Sequence, residues 1–256
     1  MTDEHLQYQV KDNIANITIN REAQRNALSA EAIFLFHDFL DQAQDDDEVR
    51  VVCITGAGEK AFCSGADLGG GVNKDSMDAF QRYADLVKKL ASFPKPTVAR
   101  VNGYCLAGGN GLMLGCDIVI ARDDAKFGTP EVNVGLFPMM IGALIFRNVL
   151  QKKAMEMVLL GERMTASQAL DMGLVTRVVP AERLDAEVNQ VLESLASKSP
   201  IGMKMGKEAF CRMRDMPLEE ALDYLSKRFA DITATEDAKE GITAFLEKRP
   251  PVFRGR

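Results

Sequence analysis

The stretch Val98-Ala-Arg-Val-Asn-Gly-Tyr-Cys-Leu-Ala-Gly-Gly-Asn-Gly-Leu-Met-Leu-Gly-Cys-Asp117 most constrains what this chain can fold into. Its pattern predicts a buried strand over 97–104, a glycine-rich turn, and an apolar helix from Gly108 that ends near Asp117. Another strand, 117–121, follows at once. A helix of about eight residues spans only roughly 12 Å, and a parallel crossover usually needs a dozen or more residues. The glycines therefore do not make a dinucleotide-binding fingerprint, and Asp123-Asp124 would stand on the wrong element to serve as its acidic residue. What remains is a helix start whose free N–H groups attract negative charge. Without side chains at Gly108, Gly109 and Gly111, a ligand can approach the backbone closely. A second small-residue turn, Phe62-Cys-Ser-Gly-Ala-Asp-Leu68, follows an earlier strand in the same way. Two such turns could aim two amides at one ligand oxygen.

The rest of the chain reads in order around these turns. Residues 7–11 and 14–20 form a hairpin about Asp12-Asn13. Ser29 is a candidate N-cap for a helix carrying Ile33, Phe36, Phe39, Leu40 and Ala43. A buried strand over 50–55 precedes the second turn and a Gly69–Gly71 loop. A helix over 76–92 then bears Phe80, Tyr83, Ala84, Val87 and Leu90 on one side. Later helices are expected over 142–150, 153–160 and 166–172, a strand over 174–179, and a helix from Pro180 to 197. Beyond Ser199-Pro200 only helical spacing remains, over 203–213, 218–232 and 236–248. This gives an α/β core, 1–198, and a helical region, 199–256.

Several function classes are disfavoured. A net charge of −6 argues against a nucleic-acid surface, although Arg147, Lys152 and Lys153 make a local basic patch. The longest apolar run, Met139–Phe146, is far short of the roughly 20 residues of a membrane helix. The opening Met-Thr-Asp-Glu-His lacks the apolar run of a leader peptide, so a cytoplasmic location is expected. Five cysteines without CxxC spacing read as free core thiols. With two scattered histidines, His5 and His37, they offer neither a convincing partner for a Cys63 nucleophile nor a metal site. Ser64 lacks the G-x-S-x-G setting of a hydrolase nucleophile. Glu131, between Pro130 and an apolar segment, admits two readings. Burial would raise its pKa toward that of a general acid/base, or it is a helix-start carboxylate answering free amides.

Five motifs in register resemble the crotonase superfamily, the enoyl-CoA hydratase/isomerase family. They are Ala61-Phe-Cys-Ser-Gly-Ala-Asp-Leu68, Val101-Asn-Gly-Tyr-Cys-Leu-Ala-Gly-Gly109, Cys116-Asp117, Phe127-Gly-Thr-Pro-Glu131 and Gly173-Leu-Val175. Asn26-Ala-Leu28 and the helical tail extend the resemblance over nearly the whole chain. It implies a core of repeated ββα units and a C-terminal helical region that takes part in trimer formation, as a homotrimer or a dimer of trimers. It also implies an acyl-CoA substrate, no cofactor beyond the coenzyme A of that substrate, and no metal. The backbone amides of Ala66 and Gly108 would polarise the thioester carbonyl. The CoA moiety would lie near Arg25, Ala27, Ala66, Asp67 and Leu68, with Phe245 and Lys248 of a neighbouring subunit's C-terminal helix.

One departure bears on the reaction. Hydratases of this family use two glutamates; the second matches Glu131, and the first falls at Gly111, which has no side chain. The turn after Glu131 is altered to Phe137-Pro-Met-Met-Ile-Gly142, whose methionines suit either an adaptable acyl pocket or ordinary core packing. One carboxylate can still move a proton, so the resemblance implies enoyl-CoA isomerisation with Glu131 as the base. Hydration with a substitute for the missing glutamate is the main alternative. Decarboxylase or thioesterase chemistry and a non-catalytic acyl-CoA-binding subunit are the others.

Overall fold

Asp12 and Asn13 both take positive φ, 52° and 64°, and turn β1 (Leu6–Lys11) back on β2 (Ile14–Ile19) as an antiparallel hairpin. In the computed structural model, which describes residues 5–67 and 76–256, this hairpin forms one edge of a six-stranded sheet. β2 pairs in parallel with β3 (Val51–Gly56), which pairs with β5 (Thr97–Val101), then β7 (Ile118–Arg122) and β10 (Arg177–Val179). One face packs against α1 (Ala30–Asp45), α2 (Ser76–Ala91) and α3 (Gly108–Gly115). The other receives Leu184, Val188, Val191 and Leu192 of α7 (Leu184–Ala196) against Val51, Cys53, Val98 and Ile120. Burial on both faces is why these strands read as continuous apolar runs.

A second sheet of four short strands lies beside the first: β4 (Ala61–Cys63), β6 (Tyr104–Leu106), β8 (Lys126–Gly128) and β9 (Met164–Thr165). The chain thus lays one strand in the large sheet and the next in the small one, then adds a helix: β3, β4, α2, and again β5, β6, α3. This is the expected ββα repeat. It also corrects the single strand expected over 97–104, which breaks at Asn102-Gly103. Buried Asn102 donates to the carbonyls of Gly56 (2.8 Å) and Gly58 (2.6 Å), and any Cβ on Gly103 would overlap the Lys60 carbonyl. The chain bends there and enters the other sheet.

Ser29 caps α1 by accepting from the Ala32 N–H at 3.0 Å. On α2 the packed stripe is Tyr83, Leu86, Val87 and Leu90; Phe80, expected on it, is 45 % exposed one turn earlier. α4 (Met139–Asn148) and α5 (Gln151–Leu160) start two to three residues before the expected helices. The 174–179 strand narrows to β10 after α6 (Ala166–Asp171) and the Gly173 turn.

Among the described residues, only helices follow residue 199: α8 (Pro200–Met213), α9 (Leu218–Thr233) and α10 (Glu236–Glu247). They are tied to the sheets. Lys207 donates to the Lys95 carbonyl (2.8 Å) and pairs with Asp117, and Arg50 donates to the carbonyls of Ala196 (3.0 Å) and Phe253 (3.1 Å). Buried Asp237 accepts from the Ser199 hydroxyl (2.7 Å) and the Arg254 N–H (2.8 Å), fastening the last residues to α10.

Candidate active site

The small sheet aims the site. β4, β6 and β8 run parallel and side by side, with Cys63 opposite Cys105 and Leu106 opposite Gly128. Their C-terminal ends therefore release Ser64–Ala66, Ala107–Gly108 and Thr129–Glu131 at one edge, where ligands of open parallel sheets bind.

The first turn is fixed from outside. Leu28 N–H donates to the Gly65 carbonyl at 2.8 Å, and the Leu28 carbonyl accepts from the Asp67 N–H at 2.9 Å. The residues flanking Ala66 thus make this parallel bridge, so the N–H of Ala66 points away from Leu28. The loop that delivers Leu28 is held by fully buried Asn26. Its amide donates to the carbonyls of Ala57 (3.0 Å) and Ala61 (2.7 Å) and accepts from the Arg21 N–H (3.1 Å). Arg21 also donates to the Ala27 carbonyl (2.6 Å) and pairs with Asp67 (2.8 Å).

The second turn is strained. Ala107 has φ 48° and ψ −128°, a conformation that costs of order 1–3 kcal/mol outside glycine. Two hydrogen bonds to the Gly128 carbonyl hold this turn, from the Ala107 N–H (3.0 Å) and from the amide of fully buried Asn110 (2.9 Å). Gly108 is the first residue of α3, where N–H groups have no helical acceptor. Among the described residues neither the Ala66 nor the Gly108 N–H has a hydrogen-bonded acceptor. The two turns touch: a Cβ on Gly65 would lie 2.7 Å from the Ala107 Cβ and 3.2 Å from the Gly108 nitrogen.

Glu131 stands in a 3-10 turn, Pro130–Val134. Its Oε2 is buried with no hydrogen-bond partner among the described residues. Burial pushes its carboxyl above the ordinary glutamate range, partly offset by its own backbone N–H. Both readings open for this residue keep an observation: burial of the carboxyl raises its pKa, and it also accepts from a turn-start amide, its own. Cys63 is buried, and burial pushes its thiol up to about 12, so it is no nucleophile at neutral pH.

The sequence pattern missed Tyr83. It is 7 % exposed, and its hydroxyl donates to the Gly108 carbonyl at 2.5 Å. A Cβ on Gly111 would overlap that hydroxyl and lie 2.8 Å from Ile141 Cγ2. A polar-ended side chain inside an otherwise apolar helical stripe was the signal available.

The residues expected to meet the CoA moiety fall in two places. Arg25 (in the left-handed region, φ 52°), Ala27, Ala66 and Asp67 share the zipped loops, while Leu68 and the Gly69–Gly71 loop lie outside the described residues. Phe245, 82 % exposed, and Lys248 end α10. Met139 is 72 % and Met140 36 % exposed, so within this chain they are not core packing.

The chain that brings these two amides and one half-buried carboxylate to a single sheet edge has clear relatives. The family model described as enoyl-CoA hydratase/isomerase matches residues 9–256. The chain belongs to the enoyl-CoA hydratase/isomerase family. It is 37% identical over 242 residues to the 2,3-dehydroadipyl-CoA hydratase of Escherichia coli, covering 94% of each chain. Among solved structures it is similar to an enoyl-CoA hydratase from Bacillus anthracis, with TM-score 0.94 and 32% identity over 98% of this chain and 100% of that one. The human enoyl-CoA hydratase domain-containing protein 3 superposes with TM-score 0.93 at 34% identity, over 97% of this chain and 100% of that one. As a member of the enoyl-CoA hydratase/isomerase family, the protein is an acyl-CoA-processing enzyme with the crotonase fold. Among the described residues no helix is long and apolar enough to cross a membrane.

Proposed function

We propose that this enzyme isomerises 3-enoyl-CoA thioesters to 2-enoyl-CoA thioesters, with Glu131 as the single proton carrier. The observation that carries this reading is the unpartnered, buried Glu131 oxygen at the same sheet edge as two free amides, together with Gly111, which supplies no second carboxylate from α3.

In this reading the thioester oxygen accepts from the N–H groups of Ala66 and Gly108. Their pull acidifies the proton on C2, which Glu131 removes. The resulting dienolate places its charge on that oxygen, where preorganised donors matter most; losing one costs roughly 10²–10³ in kcat in a known case. Glu131 then returns the proton to C4, and the double bond moves from C3–C4 to C2–C3. The shift neither gains nor loses electrons, so coenzyme A enters only as part of the substrate. Arg25, Ala27, Asp67 and Leu68 would line its path, with Phe245 and Lys248 contributed by a neighbouring copy. The exposed apolar side chains Phe210, Leu218, Leu222, Phe229, Ile242 and Leu246 of α8–α10 support assembly of copies through this helical region.

The names of the relatives favour a second reading, hydration, in which water adds its hydroxyl at C3 and a proton at C2 of a 2-enoyl-CoA. Wild-type rates on a 3-enoyl-CoA and on a 2-enoyl-CoA of equal chain length separate the two. Isomerisation is expected to exceed hydration. Rapid 3-hydroxyacyl-CoA formation without conversion of the 3-enoyl-CoA would replace the first reading by the second.

A further inference from the structure

The contacts of Tyr83 extend beyond packing. Its ring is buried in the α2 stripe, yet its hydroxyl reaches the first turn of α3. There it lies 2.5 Å from the Gly108 carbonyl and in the space that any side chain on Gly111 would enter. Ile141 closes the same space from α4. Burial above all holds the phenol proton, raising the group well above the ordinary tyrosine value. At neutral pH the hydroxyl is therefore a neutral donor rather than a base. A phenol has one O–H to give, and here the Gly108 carbonyl receives it.

We propose that Tyr83 determines which reaction this site performs: by filling the space off Gly111 it leaves no place to hold a water for attack, and so restricts Glu131 to moving a proton. This rests on the isomerase reading above. Tyr83 touches the α3 backbone rather than the reacting atoms, so it is a specificity-determining residue and not a catalytic one. A role confined to structure would lower both reactions together. A role in excluding water changes their ratio.

The test compares full-length wild type, Tyr83→Phe and Tyr83→Ala on a 3-enoyl-CoA and a 2-enoyl-CoA, with products read by mass spectrometry. The ratio of hydration to isomerisation is expected to rise about tenfold in Tyr83→Ala and at least about threefold in Tyr83→Phe, the scale on which small changes in a pocket discriminate between reactants. Tyr83→Phe keeps the ring, so it decides the question should Tyr83→Ala not fold. A wild type that isomerises, with a ratio below about threefold of its own in each folded variant, overturns the role of Tyr83 alone. A wild type that does not isomerise the 3-enoyl-CoA overturns both the isomerase reading and the role of Tyr83.

Discussion

Gly65 and Ala107 abut across the gap between two strand ends, so that a Cβ on Gly65 would lie 2.7 Å from the Ala107 Cβ. Gly65 also has φ 103°, a conformation that disfavours any other residue. Gly65→Ala should push the strained Ala107–Gly108 turn out of place. Activity is expected to fall roughly 10²–10³-fold, as when one oxyanion donor is lost. A kcat assay beside a thermal melt checks this: kcat should fall far more than the melting temperature indicates.

Asn110 has no side-chain contact with solvent and bonds the carbonyls of Gly128 (2.9 Å) and Ala107 (3.2 Å). Asn110→Ala leaves buried polar groups with fewer partners, which costs about 1–3 kcal/mol. Urea unfolding should show a lower midpoint with an unchanged slope.

Burial raises the Glu131 carboxyl above the ordinary value of 4.5, and two consequences follow from that direction. As a base Glu131 must be ionised, so kcat/KM should fall as pH drops through the raised value, above the usual glutamate range. Glu131→Gln should abolish that limb and lower kcat roughly 10²–10⁴-fold. For stability the sign is opposite. The folded chain holds this proton more tightly than the unfolded one, so the contribution is full below the ordinary value and is lost as pH rises through the raised one. Thermal melts should therefore find Glu131→Gln more stable than wild type at neutral pH, with the gain disappearing in acid.

Gly111 and Tyr83 should couple in stability. A methyl group on Gly111 overlaps the Tyr83 hydroxyl, so Gly111→Ala should cost about 1–3 kcal/mol through overpacking. The cost should shrink when combined with Tyr83→Phe, giving a non-zero coupling in a double-mutant cycle by chemical denaturation.

Much of this arrangement was legible in the residues because it is set locally. Asp12-Asn13 turns a hairpin, Ser29 caps a helix, and the Gly108 helix start follows a strand; each needs only neighbours in sequence. The parts that were not legible depend on distant partners. The apolar run over 97–104 gives no sign that it breaks, because Asn102 is bent by carbonyls at Gly56 and Gly58. Tyr83 reads as one more member of a packed stripe until α3, 25 residues on, presents the Gly108 carbonyl to it. β9 is two residues long and exists only as a partner of β8. The free amides of Ala66 and Gly108 were expected at two turns, but their adjacency depends on strand order, which places β4, β6 and β8 side by side.

The most direct measurement follows a 3-enoyl-CoA deuterated at C2 through wild type and Glu131→Gln by mass spectrometry. A shuttle through one carboxylate requires conversion to 2-enoyl-CoA by the wild type, with deuterium carried in part to C4. It also requires that conversion fall at least about 100-fold in Glu131→Gln. Conversion at an undiminished rate in Glu131→Gln, or none in the wild type, would contradict Glu131 as the proton carrier.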